Sequence, residues 1–167
     1  MSELLEVTDV ATWFDTDRGL VHAVDGVSFT LERGRTLGIV GESGSGKTVL
    51  SRSIMGLLPK QGVVRKGSIK FDGVEIGRAT PKEMRKYWGA SMAMVFQDPM
   101  TALNPVMKIG NQITESINAH LDVTRSFARE LAVSLLESVR VPDPERRMGE
   151  YPHQLSGGLR QRVCIAV

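Results

Sequence analysis

Residues 41–48 match the pattern G-x-x-x-x-G-K-S/T of a phosphate-binding loop, the P-loop. They are Gly41, Glu42, Ser43, Gly44, Ser45, Gly46, Lys47 and Thr48. In such a loop, backbone N–H groups converge on a phosphate chain, and glycines permit both positive φ and close approach of the anion. Lys47 would then reach the β- and γ-phosphates, and the Thr48 hydroxyl would bind Mg²⁺. The alternative interpretation is a surface turn of Gly and Ser with a solvated lysine.

The residues on either side of the loop favour nucleotide binding. Residues 35–40 form a short apolar run of the kind that a buried parallel strand shows. Beyond the loop, four apolar residues recur at helical spacing before Pro59: they are Val49, Leu50, Ile54 and Leu57. Strand, glycine loop and helix is the arrangement that would confirm this motif, so the sequence predicts a nucleotide site here.

Composition excludes several other classes of function. The chain has 167 residues, which is enough for one domain with a core. Its formal net charge of +2 makes it only mildly basic. A loose basic cluster lacks the interleaved aromatic residues of a nucleic-acid surface, so we interpret it as a solvated face. Its members are Lys60, Arg65, Lys66 and Lys70. We therefore expect no nucleic-acid partner.

Cysteine and histidine usage gives no sign of a disulfide or a metal site. Cys164 is the single cysteine and lies in an apolar helical stretch, so we expect a small buried side chain there. His22, His120 and His153 share no ligand spacing. The acidic N-terminal region predicts no signal peptide, and no apolar run reaches the roughly 20 residues that span a bilayer. We expect a cytoplasmic chain that meets a membrane through a partner.

The pattern along the chain changes from strands to helices. Antiparallel strands are expected in the first forty residues, with hairpin turns at Asp25-Gly26 and later at Asp72-Gly73. Residues 92–96 form a second apolar run, expected to be a buried strand. After Asn104-Pro105 the apolar spacing is helical, and Pro142 and Pro144 end that stretch. The apolar positions are Val106, Ile109, Ile113 and Ile117, then Phe127, Leu131, Leu135 and Val139.

A second motif, Leu-Ser-Gly-Gly-Leu-Arg-Gln-Arg, occupies residues 155–162. On its own it is weak evidence, because Leu-Ser-Gly-Gly is usually a helix start with Ser156 as N-cap. Its value is its position, downstream of the P-loop and across a helical segment. Between the two motifs, Gln97 stands at the exit of the second predicted core strand.

Together these three stretches resemble the ATP-binding subunit of ABC transporters. Gly41–Thr48 correspond to that family's Walker A loop, Gln97 to its Q-loop glutamine and Leu155–Gln161 to its signature. Residues 96–105 and 151–158 look like the dipeptide/oligopeptide importer branch, which also contains nickel importers. The resemblance covers essentially the whole chain.

The resemblance implies a fold as well as a family. We expect an α/β P-loop NTPase core with an antiparallel β subdomain and a helical insertion subdomain, forming an incomplete ABC nucleotide-binding domain. Within residues 1–167, it implies a β subdomain and P-loop core at 1–99, a helical subdomain at 100–155 and the signature helix at 156–167.

The resemblance also implies roles for named residues, with ATP and Mg²⁺ as cofactors. Gln97 would bind Mg²⁺ and position the attacking water. Ser156 and Gly158, with Gly157 between them, would contact the γ-phosphate of ATP held on a second subunit. Phe14 is the expected adenine-stacking aromatic residue, Trp13 is the alternative, and either could instead be a strand residue of the core.

The implied partners are transmembrane permease subunits and a second ATP-binding subunit, identical or different. A periplasmic or extracellular binding protein would act indirectly, and the chain would lie peripherally on the cytoplasmic face of the inner membrane. The soft apolar set Met100, Leu103, Val106 and Met107 suits either gripping a partner's helix or filling the helical subdomain's core. The alternatives are a non-catalytic nucleotide-binding fragment and a soluble ABC ATPase unconnected with transport.

The sequence also departs from the family's pattern. No four-residue apolar run is followed by Asp-Glu, the Walker B carboxylates, and His153 precedes the signature and so cannot be the switch histidine. We therefore expect ATP hydrolysis by an ABC-type ATPase in the complete subunit and none from these residues alone. Two smaller departures, Arg35 for the usual Glu and Leu159 for Met, lie outside the phosphate-contacting set.

Overall fold

The computed structural model describes residues 3–59, 61–96 and 102–167. It divides into two compact units, Met1–Trp88 and Gly89–Val167, called here the first and second units. The boundaries expected at residues 99 and 155 stay a prediction.

The first unit is built on an antiparallel sheet with strand order β2-β1-β3-β4. The strands are β1 (Glu3–Thr16), β2 (Gly19–Glu32), β3 (Val63–Phe71) and β4 (Val74–Glu75). The expected antiparallel region is thus confirmed. The turn predicted at Asp72-Gly73 is confirmed too, because Phe71 pairs with Val74 and both turn residues have positive φ, 50° and 74°.

The hairpin predicted at Asp25-Gly26 is wrong. Strand β2 runs through these residues, and pairing passes from Val10–Val27 to Thr12–Val24, so two residues of β2 face one of β1. Gly26 has φ of 66° at this bulge. The long partner strand β1 continues on both sides, so the Asp-Gly pair bends the strand and does not end it.

The two buried strands predicted at residues 35–40 and 92–96 are also wrong. Neither run is a strand, and Val40 is 94% exposed. A strand is stable only where neighbouring strands take up its backbone hydrogen bonds. The four strands of the described residues pair only with one another and leave these runs without such a neighbour.

Helix α1 (Lys47–Ile54) follows the P-loop, as predicted, and packs on the sheet through buried Leu50. The Thr12 hydroxyl of β1 and the Ser53 hydroxyl of α1 are both buried and lie 2.9 Å apart in a hydrogen bond. This pair satisfies two buried polar groups and holds the helix against the strand. A short helix, α2 (Pro81–Met84), ends the first unit's elements and begins with a capping box between Thr80 and Glu83.

Glu75 closes the β3–β4 hairpin with its carboxylate. Burial raises its pKa, but hydrogen bonds from the Ser68 hydroxyl and from the N–H groups of Ile69 and Gly77 lower it, as does the charge of Arg78. The net effect is a pKa below the ordinary value of 4.5. Because the pKa is lower in the folded state, the ionised carboxylate stabilises the fold at any pH above the unfolded-state pKa. This stabilisation is lost as pH falls through the folded-state pKa.

We expect Glu75→Gln to lower the melting temperature by about 2–4 °C at pH 7, because the amide has one uncharged acceptor oxygen where the carboxylate uses two charged ones. The difference from wild type should shrink as pH falls through the folded-state pKa of Glu75, which lies below its ordinary value, because the native carboxyl then becomes neutral too. Thermal unfolding followed by circular dichroism from pH 3 to pH 7 measures it. Glu115→Gln, at an exposed position in the second unit, is the control. A difference that does not shrink at all as pH falls would contradict this account.

The second unit is helical. Its elements are α3 (Ile109–His120), α4 (Arg125–Ser138), α5 (Pro144–Arg147), a 3₁₀ turn (Pro152–Gln154) and α6 (Gly157–Ala166). Ile109 and Ile113 of α3 and Val163 of α6 are fully buried in one apolar core. Within the described ranges, no helix is long and apolar enough to cross a membrane.

The predicted helical positions of the second unit are partly right. Ile109, Ile113 and Ile117 form the buried face of α3, whereas Val106 precedes the helix and is 79% exposed. On α4 the buried face is displaced by one residue: it consists of Ala128, Ala132 and Leu136, with Leu131, Leu135 and Val139 beside the core. Phe127 is exposed. Two alanines on the buried face permit close approach of a neighbouring helix, which the bulkier predicted face would not.

Candidate functional site

The P-loop forms a tight turn against the sheet. Gly44 and Gly46 have φ of 83° and 88°, a region that favours glycine. A Cβ added at Gly46 would lie 2.1 Å from the carbonyl oxygen of Ala23 on β2. Position 46 therefore needs glycine for two reasons: its backbone conformation is left-handed, and strand β2 lies too close for a side chain. It also precedes the first residue of α1, so the loop ends at a helix N-terminus.

The ammonium group of Lys47 lies over the loop. Its Nζ donates to the carbonyl oxygens of Gly41 and Glu42, each at 2.6 Å, and to the Ser45 hydroxyl at 3.2 Å. No acidic residue stands in the first turn of α1, so the positive end of the helix dipole is not neutralised there. A concave turn with left-handed glycines, a lysine ammonium and a helix N-terminus has the chemistry that a polyphosphate requires.

The remaining P-loop residues leave room for a ligand. Ser43 and Thr48 are exposed, and Thr48 lies in the first turn of α1, where its hydroxyl could bind a metal held by phosphates. Among the residues that the structure describes, no group of three or more His, Cys, Asp or Glu side chains could hold a metal ion. The P-loop thus fits a nucleotide's phosphates together with Mg²⁺ at Thr48.

The sheet separates the two aromatic candidates. Strand β1 pairs regularly with β3 from Thr12 to Phe14, so Thr12 and Phe14 share one face and Trp13 lies on the other. The Thr12 face is the one bonded to α1. Phe14 is half-buried there, and therefore is not a fully buried core residue.

Trp13 has partners on the opposite face. Its ring stacks on His22 with centroids 4.3 Å apart, and Lys66 Nζ lies 4.1 Å from the ring centroid. Its indole N–H donates to Asp25 at 3.2 Å. These contacts hold the Trp13 side chain on the face of the sheet opposite to α1. Phe14 lies on the same face as α1, so the geometry favours Phe14 over Trp13 as the adenine-stacking candidate.

The signature residues lie at the start of α6. The Ser156 hydroxyl caps the helix by accepting the Leu159 N–H at 3.4 Å, and Leu155 beside it is buried. Gly157 and Gly158 are exposed, and an added Cβ at either would meet nothing within 4 Å. Capping explains Ser156. It does not explain two successive glycines, a residue type with low helix propensity.

Gln97 lies outside the described residues, as do Asp98, Pro99, Met100 and Thr101. The structure thus brings Gly41, Glu42 and Ser45 into hydrogen-bond contact with Lys47 Nζ. The three signature residues lie together at the start of α6 in the second unit. Sequence reasoning missed the Thr12–Ser53 pair that holds α1 on the sheet. The available signal was a serine at position 53, three residues after Leu50 and four before Leu57, on the apolar face of the predicted helix.

The glycine loop with positive φ, the lysine ammonium bonded over it and the helix that begins there define a P-loop protein. The particular family follows from comparison with known proteins: the family model described as "ABC transporter" matches residues 24–167. The chain belongs to the ABC transporter family.

Curated relatives agree with this membership. The chain is 49% identical over its whole length to the oligopeptide transport ATP-binding protein OppD of Bacillus subtilis, of which it covers 47%. It is 46% identical over 98% of its length to the dipeptide transport ATP-binding protein DppD of Escherichia coli, covering 50% of that protein. The chain spans about half the length of the curated relatives it matches.

Solved structures confirm the predicted fold class. The chain superposes on the dimeric ATP-binding cassette MJ0796, in a post-hydrolysis state bound to ADP and Pi, with a TM-score of 0.84 at 23% identity. That match covers 97% of this chain and 67% of the other. The cbiO1 protein of Clostridium perfringens, part of the cbiONQ transporter complex, gives a TM-score of 0.74 at 25% identity, covering 99% and 61%.

Proposed function

We propose that the chain is the ATP-binding part of an energy-coupling subunit of an ABC importer for peptides or a similar solute. The observation that carries this proposal is the geometry of Gly41–Thr48, with Lys47 Nζ held over a left-handed glycine loop at the N-terminus of α1. The names of the curated relatives supply the transport class.

Each residue of the site has a separate task in this proposal. The loop amides and Lys47 bind the phosphate chain, Thr48 and Gln97 hold Mg²⁺, and Phe14 stacks on adenine. Mg²⁺ neutralises charge on the phosphates when it is bound. Gln97 positions the attacking water, and Lys47 stabilises negative charge as the γ-phosphoryl group transfers, so these side chains act by positioning and electrostatics without a covalent intermediate.

The signature completes a second nucleotide site in a homo- or heterodimer. Ser156, Gly157 and Gly158 lie at the start of α6, where first-turn N–H groups have no partner within their own helix and no acidic residue stands in the first turn. The bare glycines let the γ-phosphate of a partner-bound ATP approach the backbone, which accounts for their presence despite low helix propensity. The likeness to a dimeric cassette supports this arrangement.

The proposed partners are transmembrane permease subunits, with a periplasmic or extracellular binding protein acting through them. The chain then lies on the cytoplasmic face of the inner membrane. A nucleic-acid partner is not proposed, because members of the basic cluster are engaged within the fold. Lys70 pairs with Glu6 at 3.5 Å, and Arg65 donates to the carbonyls of Leu58 and Pro59.

The region after Gln97 is the proposed permease contact. The burial of its side chains limits which of them can reach a permease. Leu103 is 5% exposed and belongs to the second unit's core, so it is not available to a partner. Val106 is 79% exposed and Met107 is half-buried. We therefore assign Val106 as the centre of the contact.

We expect Val106→Cys, carrying a maleimide-benzophenone reagent, to cross-link to a permease subunit when the full-length subunit is assembled with its permeases in membrane vesicles. A Cys164→Ser background removes the native thiol, and Val74→Cys on the β3–β4 hairpin is the matched exposed control. Immunoblotting and mass spectrometry identify the product. Equal labelling from both positions, or none from Val106→Cys, would refute the importer contact. A soluble ABC ATPase unconnected with transport would yield no permease adduct.

A further inference from the structure

The loop that carries Val106 is fastened to helix α3 by one side chain. Gln112 Oε1 accepts the Asn104 N–H at 2.9 Å, and Nε2 donates to the carbonyls of Asn104 at 3.0 Å and Met107 at 2.9 Å. A neutral amide making three bonds to one loop's backbone satisfies most of its hydrogen-bonding capacity. We call this arrangement the Gln112 clasp.

The loop is rigid within itself as well. The Asn104 side chain accepts the Val106 N–H at 3.1 Å, and the Met107 N–H donates to the Asn104 carbonyl at 3.3 Å. Leu103 anchors the near end in the core. Val106 is thus an exposed apolar side chain on a preorganised turn, which lowers the entropy cost of binding a partner there.

The same turn of α3 is bonded on another side to the segment that leads to the signature. The Ile109 N–H donates to the Glu150 carbonyl at 2.8 Å, and the Gly110 N–H to the Met148 carbonyl at 3.0 Å. First-turn amides have no partner within their own helix, so these bonds satisfy otherwise free donors. A Cβ at Gly110 would lie 2.8 Å from the Met148 carbonyl oxygen, so the two backbones touch.

From Glu150 the chain reaches Ser156 through a series of fixed contacts. The Arg147 guanidinium pairs with the Glu150 carboxylate at 2.7 Å. The Tyr151 N–H donates to the Gln154 side chain at 2.8 Å, and Arg160 Nε of α6 donates to the Pro152 carbonyl at 2.7 Å. A displacement of the first turn of α3 would therefore reach the start of α6 without crossing a flexible linker.

We propose that the first turn of α3 is a positioning element that connects the permease-facing loop to the signature, with Gln112 as its positioning residue. This inference rests on the proposed function, in which Val106 meets a permease and Ser156–Gly158 meet the partner-bound ATP. Gln112 acts through the loop backbone that its side chain bonds. It holds the loop in register with α3, so that movement of the loop moves the signature.

The positioning role predicts a separation between ATP binding and permease-stimulated turnover. Lys47 and the P-loop lie in the first unit, whereas the clasp lies in the second. Loss of the clasp should therefore leave the affinity for ATP unchanged and lower the rate at which solute and permease stimulate hydrolysis.

Two variants of Gln112 test this and one matched variant controls for it. Gln112→Ala removes all three bonds. Gln112→Glu keeps the size and the acceptor for the Asn104 N–H but loses both donors. Glu115→Ala changes an exposed position of the same helix, three residues away. All three are made in the full-length subunit assembled with its permeases in vesicles, and in the 167-residue chain for amide hydrogen exchange.

We expect both Gln112 variants to lower the stimulated kcat at least tenfold while KM for ATP stays within twofold, and Glu115→Ala to match wild type. In the 167-residue chain, amide exchange at Asn104 and at Leu159 should quicken at least tenfold in Gln112→Ala. Wild-type kcat in both Gln112 variants, faster exchange at Asn104 but not at Leu159, or an effect on KM alone would overturn the inference. A wild-type transporter that neither binds nor hydrolyses ATP would instead refute the proposed function, and the exchange measurement would still decide the connection.

Discussion

Lys47→Ala is expected to weaken ATP binding at least tenfold. The ammonium lies over the loop at 2.6 Å from two of its carbonyl oxygens, where a β- or γ-phosphate oxygen would meet it. A charge-assisted contact to phosphate contributes roughly 1.5–3 kcal/mol, and tenfold in affinity corresponds to about 1.4 kcal/mol. The loop amides remain in the variant, so binding should weaken and not vanish. Titration with a fluorescent ATP analogue and Mg²⁺ measures the dissociation constants.

The control for Lys47→Ala is Lys86→Ala, which removes the same charge from a lysine that lies over the Tyr87 ring. It should bind ATP as wild type does. Equal affinity of Lys47→Ala and wild type would refute the P-loop assignment. Equal weakening in both variants would show that net charge, and not the position of Lys47, sets the affinity.

Gly46→Ala is expected to destabilise the first unit more than any other single methyl addition in the P-loop. The added Cβ would lie 2.1 Å from the backbone oxygen of Ala23, which is not a flexible side-chain end. The left-handed conformation at φ 88° adds its own cost of about 1–2 kcal/mol. Either the loop or strand β2 must move, so both the melting temperature and ATP affinity should fall.

Gly44→Ala separates the two causes of that loss. Gly44 has a similar φ of 83°, but an added Cβ there would meet nothing within 4 Å. Thermal unfolding without nucleotide should therefore show a loss of a few degrees for Gly44→Ala, from conformation alone, and a clearly larger loss for Gly46→Ala. Equal losses would mean that the contact with Ala23 does not constrain the loop.

The P-loop and the signature contain glycines for different reasons. The glycines of the P-loop are needed by the chain's own backbone, as Gly46 shows. Gly157 and Gly158 have no such need, since open space surrounds them. Glycines without an internal reason, next to a capped helix start, are the pattern expected where another molecule approaches the backbone. This contrast was not visible in the motif alone.

Several elements could be predicted because their interactions are local. Helix α1 after the P-loop, the Asp72-Gly73 turn and the cap at Ser156 each depend on residues within a few positions of one another. Helical hydrogen bonds join residues four apart, and turn and cap bonds span two or three. Nearby sequence was therefore sufficient to locate them.

The remainder required tertiary structure because its partners are distant in sequence. The apolar runs at 35–40 and 92–96 have strand composition but no strand beside them, and Asp25-Gly26 became a bulge because β1 pairs across it. The face of the sheet on which Phe14 lies also depends on distant residues, because the pairing of β1 with β3 sets it.

By itself, the sequence determined the glycine-rich P-loop motif, the helix that follows it, the signature's cap and the family. Tertiary structure alone decided that Ala23 lies against Gly46, that Thr12 bonds Ser53, and that Gln112 holds the Val106 loop. Each of these contacts joins residues on different elements, and their meeting depends on strand register and helix packing. Those are properties of the whole unit, set by burial and hydrogen-bond satisfaction across it, and no short stretch of sequence contains them.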